Sequence, residues 1–294
     1  MSGLTLTDRA WLAFARNIER PTLALLGSQR ALDRVFRLTA RMTTGTPRGT
    51  QTHRDADGSL WLTPPGVAPD APLLFYIHGG GFTIGAPETH AGLAAHLAAA
   101  AGLRAVLPRY RLAPAHPFPA APQDVIAAWT RLYGQGAAPV AICGDSAGGC
   151  LALLLAMHIR DNGLPAADAL ALIAPIADLS GDIAARIEAA PSEHLIPARW
   201  ARRIRRCYLP GIDPARADVS PLLGDLRGLP RTLVQAAEGE ALAEDARRLI
   251  AAMDDATLEL HPGLQHVWHL HAGRSPAADA ALADLGRFLK EARA

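Results

Sequence analysis

Hydrophobic and polar positions change rhythm along the chain near residue 50. Upstream, Leu4, Trp11, Leu12, Ala15 and Ile18 recur at near-helical spacing, which predicts a helix with one apolar face. Pro21 interrupts that pattern, and a second apolar-periodic stretch follows to about Met42. Helices of this kind either pack onto a core or close over a pocket as a lid, and the spacing favours neither.

Downstream, the stretch QTHRDADGSLWL has Asp57-Gly58 between short extended runs and predicts a β-hairpin. Short apolar runs then alternate with longer Ala/Leu-rich ones. Strands are predicted at 72–78, at LRAVLP and at 139–143, 169–175, 231–237 and 256–261. Helices are predicted over 88–101, 121–133 and 147–160, with a helical stretch somewhere after each of the last two strands. This alternation implies an α/β fold with a mostly parallel central sheet and helices on both faces. The segment 180–212 breaks the rhythm, and its stretch IPARWARRIRRCYLP places Trp200, Ile204, Cys207, Tyr208 and Leu209 among five arginines. It reads as a solvated helix or as a second lid element. With no internal repeat and no low-complexity linker, residues 1–294 read as one domain with small helical cap elements at about 1–45 and 180–212.

Composition narrows the chemistry. The net charge is +1, from 29 Lys+Arg against 28 Asp+Glu, which leaves no electrostatic footprint for nucleic acid or an anionic membrane. With 50% hydrophobic residues the chain is too apolar to be disordered. Its one lysine, Lys290, stands almost at the C-terminus, which excludes a Walker lysine, a Schiff-base lysine or a Ser–Lys dyad inside the fold. Cys143, Cys150 and Cys207 form no metal spacing and are expected to be reduced thiols. The first twenty residues carry Asp8, Arg9, Arg16, Glu19 and Arg20, so no apolar run there fits a signal peptide, and no window fits a membrane span. A cytoplasmic protein is the expectation.

The strongest chemical signal is Gly144-Asp145-Ser146-Ala147-Gly148, a G-x-S-x-G pattern between a predicted strand and a predicted helix. A sharp turn there projects the Ser146 hydroxyl over the sheet, and the glycines allow close packing. The second signal is His78-Gly79-Gly80-Gly81-Phe82 at the end of a predicted strand. Consecutive glycines let backbone N–H groups face a cavity, as an oxyanion hole requires. A nucleophilic serine needs a base and an orienting acid, in the chain order Ser, acid, His for such a turn. By order His158, His194, His261, His266, His269 and His271 qualify, and the last four cluster at or after the final strand. His266 follows Pro262-Gly263 in a loop, with His269 as runner-up. Glu238, Glu240, Glu244 and Asp245 follow the penultimate strand, where the acid belongs. Asp145, beside the nucleophile, is expected to face away from substrate in a structural hydrogen-bonding role.

With these motifs the chain resembles the bacterial hormone-sensitive-lipase-like family of α/β-hydrolase carboxylesterases. The resemblance continues through Tyr110-Arg111-Leu112-Ala113-Pro114, His116-Pro117-Phe118-Pro119-Ala120-Ala121, Asp178-Leu179, Ser220-Pro221-Leu222 and His266-Val267-Trp268, so it spans about 72 to 270. Arg109 and Ala115 depart from it, standing where the family usually has Asp and Glu. The resemblance implies the α/β-hydrolase fold and selects His266 through its His-Val-Trp pattern. It selects Glu240 through Glu240-Ala241-Leu242-Ala243-Glu244-Asp245, with Glu238 as competitor. Glu244 and Asp245 are expected at a helix start, where their charge suits the dipole. Relatives often dimerise through the edge of the last strand, so a homodimer is expected on the resemblance alone.

The expected reaction is hydrolysis of short to medium acyl esters through an acyl-enzyme on Ser146, with His266 as base and Glu240 orienting it. The N–H groups of Gly79, Gly80 and Ala147 are expected to receive the oxyanion, and no metal or organic cofactor is needed. A lactone or amide hydrolase on the same triad stays open. So does a ligand-binding protein on a hydrolase fold, although receptors of that kind have typically lost the catalytic histidine. Trp11, Phe14, Phe82, Trp200 and Trp268 are candidate pocket walls, with core packing as the rival role for most.

Overall fold

The computed structural model describes residues 3–293. Its centre is an eight-stranded sheet built from β1 (Gln51–Arg54), β2 (Leu60–Thr63), β3 (Leu73–Ile77), β4 (Arg104–Leu107), β5 (Pro139–Asp145), β6 (Ala169–Ile173), β7 (Arg231–Ala237) and β8 (Ala256–His261). The spatial order is β1-β2-β4-β3-β5-β6-β7-β8. β2 pairs antiparallel with both β1 and β4, and all other neighbours are parallel. The sequence-predicted α/β architecture and its strand–helix alternation are therefore observed.

The central strands read as continuous apolar runs because both of their faces are covered. In β3, Leu73, Phe75 and Ile77 enter one core layer while Leu74 and Tyr76 enter the other. α5 (Ala120–Gly134), α6 (Ala147–Asp161) and α9 (Ala243–Ala252) cover the first layer, through residues such as Trp129, Leu151 and Leu249. α4 (Pro87–Ala101) and α10 (Pro276–Glu291) cover the second, through Leu93, Leu97, Leu285 and Leu289. The sheet reverses its winding between β3 and β5: the chain leaves β3 toward β4 on one side and returns to β5 on the other. In open α/β sheets ligands bind in the crevice outside the carboxyl ends of the strands at such a switch point. The glycine run at 79–81 follows β3, and Ser146 follows β5.

The predicted hairpin is present, with a five-residue connection: Arg54 pairs with Leu60, and Gly58 N–H bonds back to the Asp55 carbonyl at 2.9 Å. One local expectation is corrected. Pro21 does not end the first helix. α1 (Leu6–Phe14) runs through a π-helical turn, Ala15–Glu19, directly into α2 (Arg20–Leu25), and the break comes only before α3 (Gln29–Thr43). Pro21 occupies the first turn of α2, where a missing N–H and a fixed φ are tolerated, and the wider π-turn supplies the change of hydrogen-bond pattern. Residues 180–212 form α7 (Ile183–Ala189) and α8 (Ala198–Tyr208), with Trp200, Ala201, Arg203 and Tyr208 of α8 buried. No helix among the described residues is long and apolar enough to cross a membrane.

Candidate active site

The turn between β5 and α6 holds Ser146 at φ 52° and ψ −116°, a left-handed conformation costly for a residue with a side chain. Its surroundings hold it there. Ser146 N–H donates to the Ile173 carbonyl at 2.8 Å, and its own carbonyl accepts from Gly149 and Ile176 N–H at 3.1 Å each. The flanking glycines are required by space. A Cβ on Gly148 would lie 2.0 Å from the Ile77 carbonyl oxygen, and one on Gly144 would lie 2.3 Å from that of Gly148.

Ser146 Oγ lies 2.9 Å from His266 Nε2, and His266 Nδ1 lies 2.5 Å from Glu240 Oε2. The other carboxylate oxygen, Oε1, accepts the Ala237 N–H at 3.0 Å, so the end of β7 fixes the acid. The stretch between α7 and α8 steadies the same loop: Glu193 Oε2 accepts the Ala241 N–H at 3.2 Å, and Ser192 N–H donates to the Gly239 carbonyl at 3.0 Å. Both His266 and Glu240 are buried. Burial works against the charged imidazolium, yet the adjoining Glu240 carboxylate outweighs it and holds the His266 pKa above its ordinary value.

The structure separates these residues from their competitors. His269 is fully buried elsewhere, with Nε2 on Gln235 Oε1 at 2.8 Å, and burial holds its pKa well below the usual imidazole range. Glu238 is exposed. Glu244 and Asp245 do stand in the first turn of α9, but Asp245 is wholly buried and serves as an anchor. It pairs with Arg186 and accepts the Ala177 and Asp178 N–H groups at 2.9 and 3.1 Å. Asp145 turns away from the hydroxyl, as expected, accepting from Tyr76 Oη at 2.8 Å and approaching His90 Nε2 at 3.3 Å.

Asp145 also corrects one expectation. Its Oδ1 accepts the Gly79 N–H at 2.9 Å, so that amide is committed to the protein and cannot serve an oxyanion. Because β3 and β5 are neighbours, with Ile77 opposite Gly144, the chain leaving β3 runs beside Asp145, and Gly79, two residues past the strand, meets its side chain. The amides of Gly80 and Gly81 have no backbone acceptor among the described residues. Ala147, the first residue of α6, presents an N–H with no partner inside the helix. Gly81, outside the expected donor set of Gly79, Gly80 and Ala147, is the residue that sequence reasoning missed. The signal that could have found it is the nearness of Gly79 to the strand end.

Two cavities meet at Ser146. The larger encloses about 1070 Å³, its open mouth included, and reaches from Gly80 and His266 to the helices at the N-terminus. The smaller, about 590 Å³, is bordered by Gly81, Ala147 and α8. Phe14 and Trp200 line the larger cavity, and Phe82 and Trp200 line the smaller. Trp268 is packed into the core, and Trp11 stacks on His271 with ring centroids 4.1 Å apart. Of the two departures from the family pattern, Arg109 pairs with Glu88 at 2.6 Å; nothing in the structure explains Ala115.

Comparison with known proteins places this geometry in a family. Residues 74–270 match the family described as alpha/beta hydrolase fold. An acetyl-hydrolase of Streptomyces hygroscopicus is 37% identical over 238 residues, covering 79% of each chain. The carboxylesterase NlhH of Mycobacterium tuberculosis is 34% identical over 238 residues, covering 74% of this chain and 73% of its own. A crystal structure of an esterase from the bacterial hormone-sensitive lipase family superposes with a TM-score of 0.88 at 30% identity, covering 100% of both chains. The chain therefore belongs to the α/β-hydrolase family, in its bacterial hormone-sensitive lipase branch.

Proposed function

We propose that this chain is a serine carboxylesterase that hydrolyses short to medium acyl esters in two acyl-transfer steps. Ser146 Oγ attacks the ester carbonyl while His266 Nε2 takes its proton, and Glu240 holds the imidazole tautomer and the imidazolium that forms. The negative charge develops on the carbonyl oxygen, within reach of the Gly80, Gly81 and Ala147 N–H groups. Collapse breaks the C–O bond, and His266 returns its proton to the leaving alcohol. Water then adds to the acyl-enzyme by the same route and releases the acid. In this reading α1–α3 and α7–α8 form a cap on a single α/β-hydrolase domain, and the two cavities take the two sides of the ester.

The observation that carries this reading is the contact of His266 with Ser146 on one ring nitrogen, at 2.9 Å, and with Glu240 on the other, at 2.5 Å. The esterase and acetyl-hydrolase names of the relatives support the substrate class. The test is hydrolysis of p-nitrophenyl esters from acetate to long acyl chains, with Ser146→Ala alongside. We expect turnover with an optimum at short or medium chains, reduced by several orders of magnitude in the variant. Near-wild-type hydrolysis by Ser146→Ala contradicts the reading.

A further inference from the structure

Glu240 stands in the turn after β7, and the strand end holds only its Oε1, through the Ala237 N–H. Where its Oε2 points depends also on the planar peptide unit that joins Glu240 to Ala241, because that unit sets the Glu240 ψ. The N–H of this unit donates to Glu193 Oε2 at 3.2 Å. The other oxygen of the same carboxylate, Glu193 Oε1, accepts the Leu195 and Ile196 N–H groups at 2.9 and 2.8 Å. Leu195 and Ile196 line the larger cavity, and Ile196 lines the smaller one as well. One carboxylate therefore spans the residue beside the triad acid and the wall of both cavities. Hydrogen bonds to an ionised acceptor are about twice as strong as neutral ones, so the span is stiff. The surrounding backbone is fixed too. Arg20 Nη1 donates to the Glu193 and Ile196 carbonyls at 2.9 and 3.0 Å, and Ser192 N–H donates to the Gly239 carbonyl at 3.0 Å. The two chains pack so closely that a Cβ on Gly239 would overlap Ser192 Oγ. The bonds of Oε1 are local and would suffice to build the turn after Glu193. The bond of Oε2 reaches across 48 positions and adds nothing to that turn.

We propose that Glu193 is a positioning residue for the reaction: it holds Glu240 at the angle from which Oε2 meets His266 Nδ1, and it fixes that angle relative to the wall that receives substrate. Glu193 touches neither substrate nor the reacting atoms and acts through Glu240. Without it the Ala241 peptide unit is released, Glu240 turns, and the hold on the His266 tautomer and on the imidazolium weakens. The loss falls on kcat more than on KM, because the imidazolium forms only as the reaction proceeds. The proposal rests on the esterase reading above and adds a residue to its machinery.

The test is a double-mutant cycle on p-nitrophenyl acetate hydrolysis, with Glu193→Ala made in the wild type and in Glu240→Gln. In the wild type we expect Glu193→Ala to lower kcat about ten- to a hundredfold, the scale of a misplacement of about 1 Å, and to change KM less. In Glu240→Gln, where the carboxylate that Glu193 positions is gone, the same substitution should change kcat by no more than about threefold. A residue that only builds its own turn would lower the Tm and give the same factor in both backgrounds. Glu193→Gln keeps one acceptor oxygen and should lose less kcat than Glu193→Ala, with the same dependence on Glu240; if Glu193→Ala does not fold, the cycle is run with it. An equal loss of kcat in both backgrounds, a loss confined to KM, or a folded variant with wild-type kcat overturns the proposal. Failure of the esterase reading shows elsewhere, as Ser146→Ala or Glu240→Gln turning over at the wild-type rate.

Discussion

Asp145 Oδ1 accepts the Gly79 N–H at 2.9 Å, which ties the first glycine after β3 to the residue before the nucleophile. The same carboxylate accepts from Tyr76 Oη and faces His90, and these partners hold its pKa below the ordinary value against a burial that would raise it. Asp145→Ala leaves three buried groups unmet. It should lower unfolding stability by about 3 kcal/mol or more. It should also lower kcat more than it changes KM, because the glycine loop loses its anchor. Asp145→Asn retains an acceptor and should lose less on both counts. Denaturant unfolding and steady-state kinetics of the pair check this.

The glycines of the nucleophile turn differ sharply from ordinary ones. A Cβ on Gly148 meets carbonyl oxygens of Ile77 and His78 at 2.0 and 2.7 Å, and backbone cannot yield as a side-chain tip can. Gly148→Ala should cost about 3 kcal/mol or more, near the upper end for single substitutions. Gly134→Ala, at the end of α5 with nothing within 4 Å, should stay within roughly 0.5 kcal/mol of wild type. Thermal unfolding of both proteins measures the contrast.

The pH dependence follows from His266. As a base it must be neutral, and the Glu240 carboxylate holds its pKa above the ordinary imidazole value despite burial. Thus kcat/KM should rise with pH along a limb centred above that value. Glu240→Gln removes the charge and leaves the burial, so the limb should move to lower pH while the plateau falls by roughly 10²- to 10⁴-fold. A limb that stays in place after the substitution would show that another group controls it.

α8, α3 and the glycine loop are joined by a short chain of side chains. Arg203 Nε donates to Gln29 Oε1 at 2.9 Å, and Gln29 Nε2 donates to Thr83 Oγ1 at 2.6 Å. Gln29→Leu leaves the buried Arg203 Nε without its acceptor, and should cost about 1–3 kcal/mol. KM for esters should rise, since α3 and α8 both wall the larger cavity. Calorimetry together with KM values for an ester series reads both effects.

The parts of this architecture that depend on local pattern were legible in the sequence. The runs at 231–237 and 256–261 coincide with β7 and β8, and the run at 72–78 brackets β3, whose five residues are all apolar and buried because both faces of that strand are covered. Ser146 could be nominated from its turn chemistry, chain order narrowed the base and the acid to short sets, and the family resemblance picked His266 and Glu240 from them. What sequence left hidden depends on contacts between distant segments. The commitment of the Gly79 amide requires β3 to lie beside β5, while β4 lies between them in the chain. Asp245 looked like a helix-start charge until α7 brought Arg186 over it. Pro21 read as a break because the π-turn that accommodates it has no composition signal of its own.

The central claim is a covalent acyl-enzyme on Ser146. The most direct measurement is intact-mass and peptide mass spectrometry of the protein mixed with p-nitrophenyl acetate and quenched in acid within milliseconds. The account predicts a single added acetyl group on the peptide containing Ser146, absent from Ser146→Ala. An actively hydrolysing wild type that never carries the acyl group, or carries it on another residue while Ser146→Ala still turns over, would contradict it.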